Sequence, residues 1–185
     1  MDAQRKHPHV AQPPPAGNSS LPPAKPCRMH YRRNLPHIQS FEGRVYVTFC
    51  TRNRWVLPES VRDLVIKHCL HEHGRKYTLH AIVVMPDHVH MILKLHRDNS
   101  GRIYGLSEIM SGIKGASSHS INSALSRKGK VWQDESFDHV LRSSESTSAK
   151  IDYISNNPVR KGLVAAGEQW RWYWREGMEL PQAPQ

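Results

Sequence analysis

Apolar residues alternate with polar ones in Arg44-Val45-Tyr46-Val47-Thr48-Phe49-Cys50-Thr51, a stretch rich in β-branched and aromatic residues that predicts a first strand. Pro58 then opens a helix from Glu59 to His73, where Val61, Leu64, Val65, His68 and Cys69 recur at helical spacing and Gly74 supplies the stop. Tyr77 to Met85 predicts a second strand and His88 to Leu95 a third. Only Pro86-Asp87 links them, so the two form an antiparallel hairpin. Past a turn at Asp98-Asn99-Ser100-Gly101, Ser107 caps a helix that runs to Leu125, with Ile109, Met110, Ile113 and Ala116 on its apolar face. Phe137 to Arg142 predicts a fourth strand. A further helix starts with the capping run Ser144-Glu145-Ser146-Thr147, carries Tyr153 and Asn157, and breaks before Pro158. A short helix from Pro158 to Val164 follows.

Strand, helix, strand, strand, helix, strand is the split βαβ order. It predicts an α+β fold: a ferredoxin-like βαββαβ antiparallel sheet with helices on one face, plus an extra C-terminal helix bearing Tyr153. The other sheet face is left open for a site. Residues 1–27, with Pro13-Pro14-Pro15 and Pro22-Pro23, lack apolar periodicity and read as a disordered tail. Residues 28–167 form the folded domain. Residues 168–185 form a Trp-rich tail, whose Trp170, Trp172 and Trp174 are expected to pack on that domain.

Composition narrows the partner. The chain of 185 residues has 26 Lys+Arg against 16 Asp+Glu, a formal net charge of +10, which favours a polyanion and nucleic acid first. Hydrophobic residues, at 38%, suffice for a core. Cys27, Cys50 and Cys69 form no Cys-x-x-Cys pair, which fits a reducing cytoplasm rather than a disulfide framework. The sequence has neither a membrane-spanning apolar run nor a secretory h-region, so the expected location is cytoplasmic.

Candidate chemistry lies in two places. His88 and His90, two residues apart on a strand, face the same side and form half of a site for a divalent metal. A third ligand must come from elsewhere. Tyr153 and Asn157, at i and i+4, share one helix face and would reach the histidines if that helix crosses the open sheet face. Asp87 is expected to shape the turn rather than bind metal. His68, His71 and His73 have no partner motif and read as ordinary helix histidines.

The stretch Met85-Pro86-Asp87-His88-Val89-His90 resembles the His-hydrophobe-His signature of single-tyrosine (HUH) transposases. Asp152-Tyr153-Ile154-Ser155-Asn156-Asn157-Pro158-Val159-Arg160-Lys161-Gly162-Leu163-Val164 is similar to the tyrosine motif of that family, and most to its REP-associated subgroup. Arg33-Asn34-Leu35-Pro36-His37 also resembles that subgroup's N-terminal segment. The Trp170–Trp174 segment departs from the subgroup's usual Trp-Pro-Tyr-Ser ending. The resemblance covers about residues 30 to 165.

The resemblance implies a transposase-type endonuclease and strand transferase acting at the nucleoid on single-stranded hairpin DNA, through a 5′-phosphotyrosine intermediate. Tyr153 would be the nucleophile. His88 and His90 would bind Mg2+ or Mn2+, with Asn157 as a third ligand or orienter. Charge makes Arg28, Arg32, Arg33, Lys114, Arg127, Lys128, Lys130, Arg142, Arg160 and Lys161 the candidate DNA contacts. Either a monomer or a homodimer is compatible with this reading. One rival is a non-catalytic nucleic-acid-binding module, since the sheet is also that of the RRM, although no aromatic-rich RNP run is present. The other is a replication-initiation or relaxase nuclease, a type usually built with extra domains.

Overall fold

In the computed structural model, residues 43–141 and 147–179 are described. Five strands form one antiparallel sheet: β1 (Arg44–Thr51), β2 (Tyr77–Val84), β3 (His88–Leu95), β4 (Trp132–Leu141) and β5 (Tyr173–Arg175), in the spatial order β4-β1-β3-β2-β5. Helices α1 (Glu59–Leu70) and α2 (Leu106–Ala124) make the two crossovers. The first four strands with these helices are the ferredoxin-like βαββαβ arrangement. Helices α3 (Thr147–Ser155) and α4 (Asn157–Arg160) lie between β4 and β5 in the chain.

Strand periodicity sorts the side chains into two clusters. On one face Val45, Val47, Phe49, Val89, Met91 and Leu93 pack with Val61, Val65 and Ile66 of α1 and with Ile109, Ile113 and Ile121 of α2. Each such side chain contributes about 1.5–3 kcal/mol on burial, so this face carries the main core. On the other face Tyr46, Ala81, Val83, Met85 and Ile92 pack against Ile154 of α3, with Ile151, Trp170 and Tyr173 beside them. The tyrosine-bearing helix therefore lies across the face that α1 and α2 leave open.

A bulge keeps these two sets in phase. Leu79 pairs with Leu93 and Ala81 with Ile92, so His80 is the extra residue on β2. It lets Leu79 and Ala81, two apart in sequence, point to opposite faces.

Several bounds differ from the sequence pattern. α1 stops at Leu70, and His73 lies in the turn beyond it, where its Nδ1 accepts the Leu79 N–H at 2.9 Å. Gly74, at φ +81°, takes the left-handed conformation that reverses the chain here. α2 is capped by Gly105 rather than Ser107. β4 begins at Trp132, earlier than expected, because pairing with β1 carries it back through the charged run Asp134-Glu135. β5 is an element that periodicity did not reveal. Its Trp174, and Trp172 just before it, are buried, as packing of the tryptophans requires. Among the described residues no helix is long and apolar enough to cross a membrane.

Candidate nucleophile and metal-ligand site

Val89 and Met91 fill the main core, so His88 and His90 project from the opposite face of the central strand β3. Their Nε2 atoms approach to 3.1 Å. Asp87 Oδ1 lies 2.6 Å from His88 Nδ1, and its Oδ2 lies 2.9 Å from Arg54 Nε. Burial raises the Asp87 carboxyl, but the hydrogen bond from His88 and the charges of His88 and Arg54 outweigh it and hold the group below the usual carboxylate range. An ionised carboxylate only accepts, so His88 Nδ1–H donates to Asp87 Oδ1, which leaves Nε2 as the ring atom facing His90. The Asp87 carbonyl in turn accepts the Thr51 N–H at 2.9 Å, which locks the hairpin to the end of β1.

His90 is anchored differently. Antiparallel register sets Thr48 opposite His90, and both Thr48 Oγ1 and Tyr46 Oη lie 2.7 Å from His90 Nδ1. The Tyr46 ring also stacks on the imidazole, with centroids 5.6 Å apart. Burial, followed by the charges of His88 and Arg54, pushes the His90 pKa down to about 3, so the ring stays neutral near neutral pH. Burial pushes Tyr46 up to about 12, with Thr48 opposing and Tyr153 adding, so it stays a phenol that can donate or accept.

This donor set fits a divalent ion. Two nitrogens each ~2.1 Å from one ion are ~3.0 Å apart at a right angle, close to the observed convergence. Both Nδ1 atoms are held from behind, as metal-binding imidazoles require. Among the described residues no third His, Cys, Asp or Glu completes a cluster.

Tyr153 stands on α3 with 46% of its surface exposed, while its neighbour Ile154 is buried in the second cluster. Arg160 Cζ lies 4.8 Å from the Tyr153 ring centroid and Lys150 Nζ 5.5 Å from it. The same Lys150 Nζ is 5.2 Å from the Tyr46 ring centroid. Tyr46 thus touches His90 with its hydroxyl and adjoins, through Lys150, the exposed tyrosine.

Asn157 departs from expectation. α3 ends at Ser155, and Asn157 opens α4 instead of sharing an unbroken helix with Tyr153. The cause is Pro158, which has no N–H to offer the carbonyl four residues back. Asn157 is buried, and its Nδ2 has no hydrogen-bond partner among the described residues. The hydrogen bonds of His88 and His90 go to Asp87, Tyr46, Thr48 and each other, and none reaches Asn157.

The basic candidates scatter. Lys114 Nζ donates to the carbonyls of Gln133, Asp134 and Glu135 and so ties α2 to the start of β4. The Arg127 guanidinium stacks 4.1 Å from the Trp55 ring, and Lys130 pairs with Asp134 at 2.8 Å. Lys128 and Lys161 are exposed. Arg28, Arg32, Arg33 and Arg142 lie outside the described residues. Of these candidates, among the described residues, Arg160 is the one that adjoins Tyr153. Sequence reading missed Tyr46, Thr48, Arg54 and Lys150. The meeting of Tyr46 and Thr48 with His90 follows from the β1–β3 register, which sets Thr48 opposite His90.

A ferredoxin-like sheet with paired imidazoles on its central strand and a tyrosine helix across the same face defines a protein of the transposase class. Residues 40–157 match the family model described as Transposase IS200 like, and the chain belongs to that family. It is 26% identical over 130 residues to a REP-associated tyrosine transposase of Escherichia coli K12, covering 69% of this chain and 73% of that one. It is 24% identical over 95 residues to an inferred REP-associated tyrosine transposase of Haemophilus influenzae. That match takes in 49% of this chain and only 54%, about half, of the relative's length. A solved REP-associated tyrosine transposase bound to a REP hairpin is similar over 78% of this chain and 81% of its own, with 25% identity and a TM-score of 0.59.

Proposed function

We propose that this transposase nicks and rejoins single-stranded hairpin DNA with Tyr153 as nucleophile. The observation that carries the reading is the adjacency of an exposed tyrosine to the His88–His90 pair through Tyr46 and Lys150. Tyr153 Oη forms a bond to the scissile phosphorus while the P–O3′ bond breaks. The phenol proton leaves to solvent, and the departing 3′ oxygen takes up a proton. The 5′-phosphotyrosine retains the energy of the phosphodiester, so a 3′-hydroxyl can reverse the step and join strands. His88 and His90 would hold Mg2+ or Mn2+, with Asn157 proposed as third ligand or orienter. The ion would supply polarisation of a non-bridging phosphate oxygen. Arg160, over the Tyr153 ring, is suited to pair with the DNA backbone beside the reacting phosphate. A hairpin substrate is supported by the similarity to the hairpin-bound relative.

The test is incubation of the full chain with a labelled hairpin oligonucleotide and Mn2+, followed by denaturing electrophoresis. A protein-linked label is expected from wild type, and none from Tyr153→Phe, whose hairpin binding persists. An undiminished adduct in Tyr153→Phe sinks the assignment. The competing RRM-type reading draws on Phe137, which is 36% exposed and set edge-on to Tyr46 on the same sheet face. It predicts hairpin binding without any adduct.

A further inference from the structure

We infer that Tyr46 is a positioning residue that couples the two halves of the site: its hydroxyl holds His90, and its ring, through Lys150, holds the helix that carries Tyr153. The inference rests on the functional reading above for its consequence in catalysis, but its geometry stands independently.

Four contacts carry it. Tyr46 Oη is 2.7 Å from His90 Nδ1, and the ring stacks on the imidazole at an interplanar angle of 24°. The far side of the linkage is Lys150, whose Nζ lies over both the Tyr46 and the Tyr153 rings, at 5.2 and 5.5 Å. A cation over two aromatic faces favours the arrangement in which both rings are close to it. Lys150 is one turn before Tyr153 on α3, so holding its ammonium fixes the rotation of that helix about its axis. Tyr46 itself is buried, in a strand paired on both sides by β3 and β4, and cannot follow a moving helix. It therefore serves as the fixed reference from which both the imidazole and the nucleophile take their positions.

The two functions of the side chain are separable, since the hydroxyl serves His90 alone while the ring, which also stacks on that imidazole, is what reaches α3 through Lys150. Tyr46→Phe keeps the ring, Tyr46→Leu removes both, and Lys150→Met removes the cation. The readouts are Mn2+ affinity by electron paramagnetic resonance, amide hydrogen exchange of α3 in metal-free protein, and the single-turnover rate of adduct formation on a hairpin oligonucleotide. Tyr46→Phe is expected to weaken Mn2+ binding about tenfold, as removal of an outer partner of a metal-binding histidine does, with α3 exchange at the wild-type rate. Lys150→Met is expected to speed α3 exchange about threefold at unchanged Mn2+ affinity. Tyr46→Leu should show both effects, and all three variants should form adduct more slowly. Wild-type Mn2+ affinity in Tyr46→Phe, or wild-type α3 exchange in both Lys150→Met and Tyr46→Leu, overturns the inference. If wild type itself forms no adduct, the nuclease reading falls, while Mn2+ binding and exchange still decide the role of Tyr46.

Discussion

Asp87 serves the hairpin with its backbone and His88 with its side chain. An asparagine there keeps the size and the turn but offers an amide that can accept or donate, so the imidazole is no longer held in a single tautomer. Asp87→Asn should therefore cost about 10–100-fold in Mn2+ affinity, measured by titration calorimetry, with little change in thermal midpoint. His90 has a consequence for stability. Its folded pKa, about 3, lies below the ordinary 6.5, so between those values the unfolded chain binds the extra proton. In metal-free protein this part of the stability is complete above pH 6.5 and is lost as the pH falls toward 3. Urea unfolding across that window should show a declining midpoint, with a shallower decline in His90→Gln.

Among the elements, β1 and β3 have the bounds expected from the sequence, because each is rich in β-branched and apolar residues and buries one face in the main core. The hairpin turn was legible from Pro86-Asp87. β4 was legible only in its second half, since its first half faces solvent with Asp134 and Glu135 and lacks the apolar period. The ends of α1 and α3 were obscured for a different reason: His71 to His73 and Asn156-Asn157 suit a helix and a turn equally. At the site, the paired histidines and the tyrosine were visible as motifs. Tyr46 and Thr48 were not, because a cross-strand partner is set by register, which a linear pattern does not contain. The bulge yields an element-level prediction. His80 is the surplus residue, so deleting it leaves the alternation from Leu79 to Val84 intact. That variant should fold with a cooperative thermal transition. Deleting Ile92 from β3, which pairs without a bulge against β1, should abolish folding, as read by circular dichroism.

Over the whole molecule, β4 and β5 are the two outer edges of the sheet. Residues 147–172 therefore leave one edge, cross the face that bears the histidines, and reach the other. At the far end Val84 N–H donates to the Trp172 carbonyl at 2.8 Å, and Trp170 Nε1 donates to the Val84 carbonyl at 2.9 Å. The Trp172 ring packs 4.5 Å from the buried Arg62 guanidinium. Ending the chain after Gly167 should strip this anchorage and bare the edge of β2. The truncated protein should associate with rising concentration in light scattering, and the full chain should not. The same fastening bears on subunit exchange. For two copies to trade their α3 helices, each would first have to peel β5 from its own sheet and draw Trp172 and Trp174 out of the core. Losing one large buried aromatic already costs about 3–5 kcal/mol. On the proposed reading, this C-terminal strand opposes domain swapping and favours Tyr153 acting with the histidines of its own chain.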